Sequence, residues 1–312
     1  MSFKLKFLLF VYLFNGGCAS ARVEVLTSAN TVFRHEVGVR EPVQYANANG
    51  VRLAYSDPDS QSGLPILITL HAIGHGGRDF ETVRQHFAGK YRIITLDWPG
   101  QGNSGPDQKP ASVSRYTQLF TNFVEQQNLK SFVILGNSIG GGVAIKYTSE
   151  NPNKVRALIL SNPAGLDVGG VFAKIFIWWI ERKMHSGVLM DESFKEWFSD
   201  YYHEVLITQQ SAPQRDRIIK SGYEIAPILE HAWHSFRQPD GDLRSLIPKI
   251  KSPVLFAWAK EDGYVQWSRC KEAVEKFENK KIEFFKAGHA PFLEMPHEFN
   301  KSAERFLDSL AP

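Results

Sequence analysis

The chain has 312 residues, 43 % hydrophobic and 22 % charged, with a formal net charge of +3. That length suits one large domain with an insertion, or two small ones, and the balance is that of a folded globular protein. A charge so close to neutral, with no block of like charges, argues against a nucleic-acid partner.

The first element in chain order is a leader. Residues 1–21, MSFKLKFLLFVYLFNGGCASA, open with Lys4 and Lys6, run apolar from Phe7 to Phe14 and end in small residues. This is the layout of a secretory signal peptide. The apolar run is too short to span a bilayer comfortably as a mature helix; a retained N-terminal helix is the rival reading. Cleavage is expected near 21/22, where Ala19-Ser20-Ala21 fits an A-x-A site, or near 17/18, where Gly16-Gly17-Cys18 resembles the end of a bacterial lipobox. In the second case Cys18 becomes a lipidated N-terminus and attaches the protein to a membrane, although Asn15 stands where a lipobox usually has leucine. Either cut implies an exported protein: periplasmic, secreted or membrane-anchored. The one other cysteine is Cys270, so neither an intramolecular disulfide nor a zinc cluster is expected.

After the leader, short apolar runs alternate with helical patterns. Val51–Asp57, Leu64–His71, Arg92–Pro99, Ser131–Asn137, Val155–Pro163, Ser252–Ala259 and Lys281–Ala287 read as strands. Several are nearly continuous apolar runs, as in strands buried on both faces of a parallel sheet. Helices are expected over Phe80–Phe87, Ser114–Gln127, Gly140–Glu150, Val265–Phe277 and Glu298–Leu310. The alternation predicts an α/β sheet, whose functional residues gather at the carboxyl ends of the strands. Residues 168–249 break the rhythm with helical patterns alone, dividing the chain into a core (22–167 and 250–312) and an inserted helical cap. The cap holds Phe172, Phe176, Trp178, Trp179, Phe194, Trp197, Phe198, Tyr201 and Tyr202. Each of these serves either helix–helix packing or the wall of an apolar pocket.

The chemistry starts at Gly136-Asn137-Ser138-Ile139-Gly140. It fits G-x-S-x-G between a strand and a helix, a turn that presents a serine in a strained, exposed position. A phosphate-binding loop would need Lys-Ser/Thr after its glycines, and a dinucleotide fingerprint would need glycine at Ser138. A serine hydroxyl needs a base, and the base needs an acid to orient it. His289 follows the last strand by one glycine, and Asp262 follows the strand before it. The order Ser138, Asp262, His289 is the one this fold uses. Glu261, and Asp167 after the preceding strand, are rival acids. Asp97 reads as a structural anchor for the turn before Gly100. His71 and His75 lie in a glycine-rich loop with no third ligand evident, so no metal is expected. His231 and His234 read as a polar face of the cap.

Together these motifs resemble the α/β-hydrolase superfamily with a helical cap, from about Val43 to Leu310. LHAIGHGG resembles its His-Gly loop, DWPGQGNSG the loop after its fourth strand, GNSIGG its nucleophile elbow, AKEDGYV its acid loop and GHAPFLEMPHEFN its catalytic-histidine loop. The resemblance implies a mostly parallel eight-stranded sheet and a catalytic Ser138–His289–Asp262 set. It also implies an oxyanion hole from the N–H groups of Ile73 and Ile139. Ala72 stands where the family usually has glycine, and would be strained if that position needs positive φ. The implied activity is cofactor-free cleavage of a small-molecule ester or related acyl bond with an apolar portion. GNSIGG is also similar to the GNSMGG of meta-cleavage-product hydrolases, which cut carbon–carbon bonds. A ligand-binding receptor on the same fold is the third reading.

Overall fold

The computed structural model describes residues 33–167 and 170–310. The expected leader with Cys18, and the junction at 168–169, lie outside the described residues. Runs that are apolar at almost every position become the middle of the sheet, because no other element lets both faces of a strand leave water. β3 (Ile66–Leu70), β4 (Arg92–Leu96), β5 (Phe132–Asn137), β6 (Val155–Ser161) and β7 (Val254–Ala259) are of this kind, and β5 and β7 are buried throughout. With β1 (Gln44–Ala48), β2 (Val51–Ser56) and β8 (Lys280–Phe285) they form one sheet of eight strands, ordered β1-β2-β4-β3-β5-β6-β7-β8. β4 to β8 run parallel, and the β1–β2 and β2–β4 pairings are antiparallel.

The seven expected strands omit β1. It pairs with β2 through a two-residue turn at Asn49-Gly50, both with positive φ (48° and 84°). Asn-Gly is the strongest short hairpin signal, but the flanking QYANA is only half buried and too polar to read as a sheet strand alone.

Among the described residues six helices belong to the core: α1 (Glu81–Phe87), α2 (Val113–Gln126), α3 (Ile139–Glu150), α8 (Trp267–Glu275), α9 (Pro291–Glu294) and α10 (Pro296–Asp308). α2 starts one residue earlier than expected because the Ser112 hydroxyl accepts the Arg115 N–H at 3.0 Å, an N-cap that satisfies a first-turn donor. The strand order reverses between β3 and β5, and the crevice beyond their carboxyl ends is the default ligand position of such sheets.

The cap consists of α4 (Val171–Val188), α5 (Glu192–Val205), α6 (Ala212–Lys220) and α7 (Gly222–Ser235), followed by two short 3₁₀ turns before β7. α6 and α7 separate at buried Ser221, whose hydroxyl turns back to the Ile218 carbonyl at 2.9 Å. The cap aromatics divide three ways. Phe194 and Phe198 stack at 4.9 Å inside it. Tyr201 and Tyr202 line a cavity over the sheet. Phe172 and Trp178 are exposed, at 85 % and 48 %.

Candidate active site

Ser138 stands between the last residue of β5 and the first of α3, with φ 53° and ψ −119°. Positive φ at a residue with a Cβ is strained and persists only where its surroundings enforce it. Here they do. The Ser138 N–H bonds the Ser161 carbonyl at 3.1 Å, and its own carbonyl accepts the Gly142 and Ala164 N–H groups at 3.0 and 2.9 Å. The flanking glycines permit close approach. A Cβ at Gly136 would lie 2.5 Å from the Gly140 carbonyl oxygen, and one at Gly140 only 2.2 Å from that of Leu70. The result is a serine directly at the positive N-terminus of α3.

His289 follows β8. Its Nδ1 lies 2.6 Å from Asp262 Oδ2, and both residues are buried. Asp262 is held on every side: Oδ1 accepts the N–H groups of Tyr264 and Val265 at 2.8 and 3.0 Å, and Oδ2 also accepts the Asn162 amide at 2.6 Å. Burial is the largest influence on His289 and disfavours its cation. The Asp262 carboxylate, by charge and hydrogen bond, and then Glu294 outweigh it, so its pKa stands above the ordinary histidine value. Of the rival acids, Glu261 is exposed to solvent. Asp167 pairs with Arg269 at 2.9 Å on the wall of the cavity.

The loop after β3 and the first turn of α3 carry the two predicted oxyanion donors. Ile73 lines the same cavity as Ser138 and His289. Ile139 opens α3, so its N–H belongs to the first-turn donors that lack an intrahelical acceptor. The left-handed backbone of the loop falls on Gly74 (φ 79°) and not on Ala72, so the strain considered for that alanine does not arise. Gly74 N–H is held by Gln101 Oε1 at 2.6 Å.

His71 is fully used in the scaffold. Its Nδ1 donates to the Ala72 carbonyl at 2.7 Å and its Nε2 accepts the Trp98 N–H at 2.9 Å. Burial pushes its pKa down to about 4, which keeps the ring neutral and Nε2 an acceptor. Asp97 ties three segments together through the N–H groups of Gly77, Asn103 and Val39 at 2.7, 2.9 and 3.0 Å. Burial pushes its carboxyl up to about 6 against the pull of those bonds. His231 and His234 are exposed on α7, and His234 pairs with Glu181 at 3.0 Å.

The cavity, about 680 Å³, lies between core and cap, within the range of small-molecule sites. Ser138, His289, Ile73 and Pro163 contribute from the core, and Ile177, Val205, Trp233 and Phe236 from the cap.

A model of the alpha/beta hydrolase fold family matches residues 65–296, from β3 through the histidine loop. The chain belongs to that family. Among curated proteins this α/β hydrolase is similar to one named "Putative esterase/lipase 1" from Mycoplasma genitalium. The two are 24 % identical over 251 residues, which cover 73 % of this chain and 85 % of the relative. Among solved structures it is similar to a membrane phospholipase A described as a bacterial virulence factor (TM-score 0.73, 22 % identity, 90 % of this chain and 89 % of the other). It is also similar to an esterase from Exiguobacterium antarcticum (TM-score 0.72, 20 % identity, 85 % and 99 %). At such identities the structural likeness carries the fold and leaves the reaction to the site.

Two supporting residues, Asn162 and Glu294, escaped the sequence reading, and a third, Asn137, was placed only in the elbow turn. Asn162, the first residue after β6, holds Asp262, and its position at a strand end was a usable signal. Glu294 lies inside the histidine motif, yet nothing local reveals that its carboxylate serves five backbone donors. Oε1 accepts the N–H groups of Gly288, His289 and Ala290 at 2.9, 2.9 and 3.2 Å, and Oε2 those of Ile207 and Thr208 at 2.8 and 3.2 Å. Asn137 is more than a turn residue, since its amide donates to the carbonyls of Ser161 and His289 at 2.9 and 3.1 Å.

Proposed function

We propose that this α/β hydrolase cleaves a small-to-medium carboxylic ester, or a related acyl bond, through an acyl-enzyme on Ser138. The observation that carries the reading is the strained Ser138 opening into the same cavity as a buried His289 whose Nδ1 is locked to Asp262. In this reading Ser138 Oγ attacks the carbonyl carbon while His289 Nε2 takes its proton. Asp262 orients the ring and stabilises the imidazolium. The N–H groups of Ile73 and Ile139 hold the oxyanion, preorganised by loop and helix so that no reorganisation accompanies the charge. His289 then protonates the leaving alcohol and activates the water that releases the acyl group. No step requires a cofactor. The apolar cap wall supports a substrate with an apolar portion, and the esterase, lipase and phospholipase names among the relatives support the ester class.

The test is hydrolysis of p-nitrophenyl esters of graded chain length, with fluorophosphonate labelling of wild type beside Ser138→Ala. Labelling should vanish and kcat fall by several orders of magnitude, on the order of a million-fold in the protease precedent. Undiminished esterase activity in Ser138→Ala would overturn the assignment.

A further inference from the structure

The reaction needs one histidine, and the cavity contains two. His75, in the loop after β3, is only 1 % exposed and lines the cavity with Ser138, Ile73 and His289. Its Nδ1 lies 2.7 Å from Oδ2 of Asp79, whose side chain is completely buried. Asp79 Oδ1 accepts the amide of Gln214 on α6, and Gln214 Oε1 in turn accepts Nε and Nη2 of Arg217 at 2.8 and 2.6 Å. The ring also rests against Tyr202, with centroids 5.7 Å apart. A core loop and a cap helix therefore converge to fix one imidazole that the proposed acyl transfer does not use.

Holding a carboxylate without contact with water is expensive, and it is found where it orients something. With Nδ1 engaged by Asp79, Nε2 is the nitrogen left for the cavity. We propose that His75 is a specificity residue whose Nε2 binds a hydroxyl group on the substrate, so that the favoured substrates are hydroxyl-bearing esters. A hydroxyl matches this nitrogen in either protonation state. It donates to the neutral ring and accepts from the imidazolium, whereas a plain alkyl chain does neither. The inference rests on the ester reading and narrows its substrate class. The hydroxyl can stand on the acyl or on the alcohol half, and the two are told apart by experiment.

The experiment compares kcat/KM within two substrate pairs that each differ by hydroxylation. The first pair is p-nitrophenyl 3-hydroxybutyrate and p-nitrophenyl butyrate; the second is glycerol 1-monobutyrate and propyl butyrate. Wild type should prefer the hydroxylated member of one pair by at least about tenfold, because a site built to bond a hydroxyl rejects the analogue lacking it. The pair that shows the preference names the half of the substrate. In His75→Phe the ratio should fall towards one, and in His75→Gln, which keeps a polar end, it should fall only in part. The ratio is internal to each variant and so is insensitive to the amount of folded enzyme; if His75→Phe does not fold, the ratio in His75→Gln decides. Equal rates within both pairs for wild type, or a preference that survives in the variants, would overturn the inference while leaving the ester reading intact. Wild type that hydrolyses none of the four esters would overturn the ester reading itself.

Discussion

Glu294→Gln tests the tie between the cap and His289, the base of the proposed reaction. In the wild type one buried carboxylate accepts three N–H groups from Gly288–Ala290 and two from Ile207 and Thr208, just beyond α5. An amide has one acceptor oxygen. Placed on the histidine-loop side it preserves those three bonds in weakened, neutral form, and sets its NH₂ against the two cap donors. Hydrogen bonds to a charged group contribute about 1.5–3 kcal/mol each, so losing two costs about 3–6 kcal/mol. For a chain of this size 1 kcal/mol corresponds to roughly 2 °C, which gives a fall in Tm of roughly 6–12 °C. The assay is thermal unfolding, paired with kcat/KM at a temperature where the variant is still folded. The rate should fall as well, because the His289 backbone N–H is one of the five donors. A Tm within about 1 °C of wild type would show that water or a shifted loop replaces the carboxylate, and would refute the reasoning.

Three further outcomes follow from the site. In the proposed reaction His289 must be neutral to accept a proton, and its pKa is raised. Activity is therefore lost as pH falls through that value, and the acid limb of kcat/KM should centre above about 6.5. Asp262→Asn removes the larger raising influence and leaves burial opposed only by Glu294, so the limb should move lower while kcat falls on the order of 10⁴-fold, as in the serine-protease precedent; a larger loss in Glu261→Gln would move the acid to that residue. Gly140→Ala should lower both Tm and kcat, since its Cβ meets the Leu70 carbonyl oxygen at 2.2 Å and overpacking of this kind costs about 1–3 kcal/mol or more; wild-type melting would show that the elbow has room the geometry denies.

What the sequence by itself determined is local. Apolar runs such as Phe132–Asn137 announce central strands because a strand buried on both faces has no polar side to show. Glycine at 136 and 140 marks the elbow because each stands against backbone where a Cβ has no space. Ser138, Asp262 and His289 could be nominated because each follows its own strand, and strand ends share one rim. β1 shows the limit of such reading, as its hairpin is written in Asn49-Gly50 but its own residues are too weakly apolar to announce a strand. Tertiary structure alone decided the rest. Glu261 and Asp262 are adjacent in sequence, yet one faces solvent and the other is buried against His289. Asn162 reaches Asp262 across 100 residues, Glu294 reaches Ile207 across 87 and Gln214 reaches Asp79 across 135. No periodicity records those pairings, because a hydrogen bond between distant segments is set by where the sheet and cap bring the backbone, and a polar side chain carries no sign of its partner until the fold has closed around both.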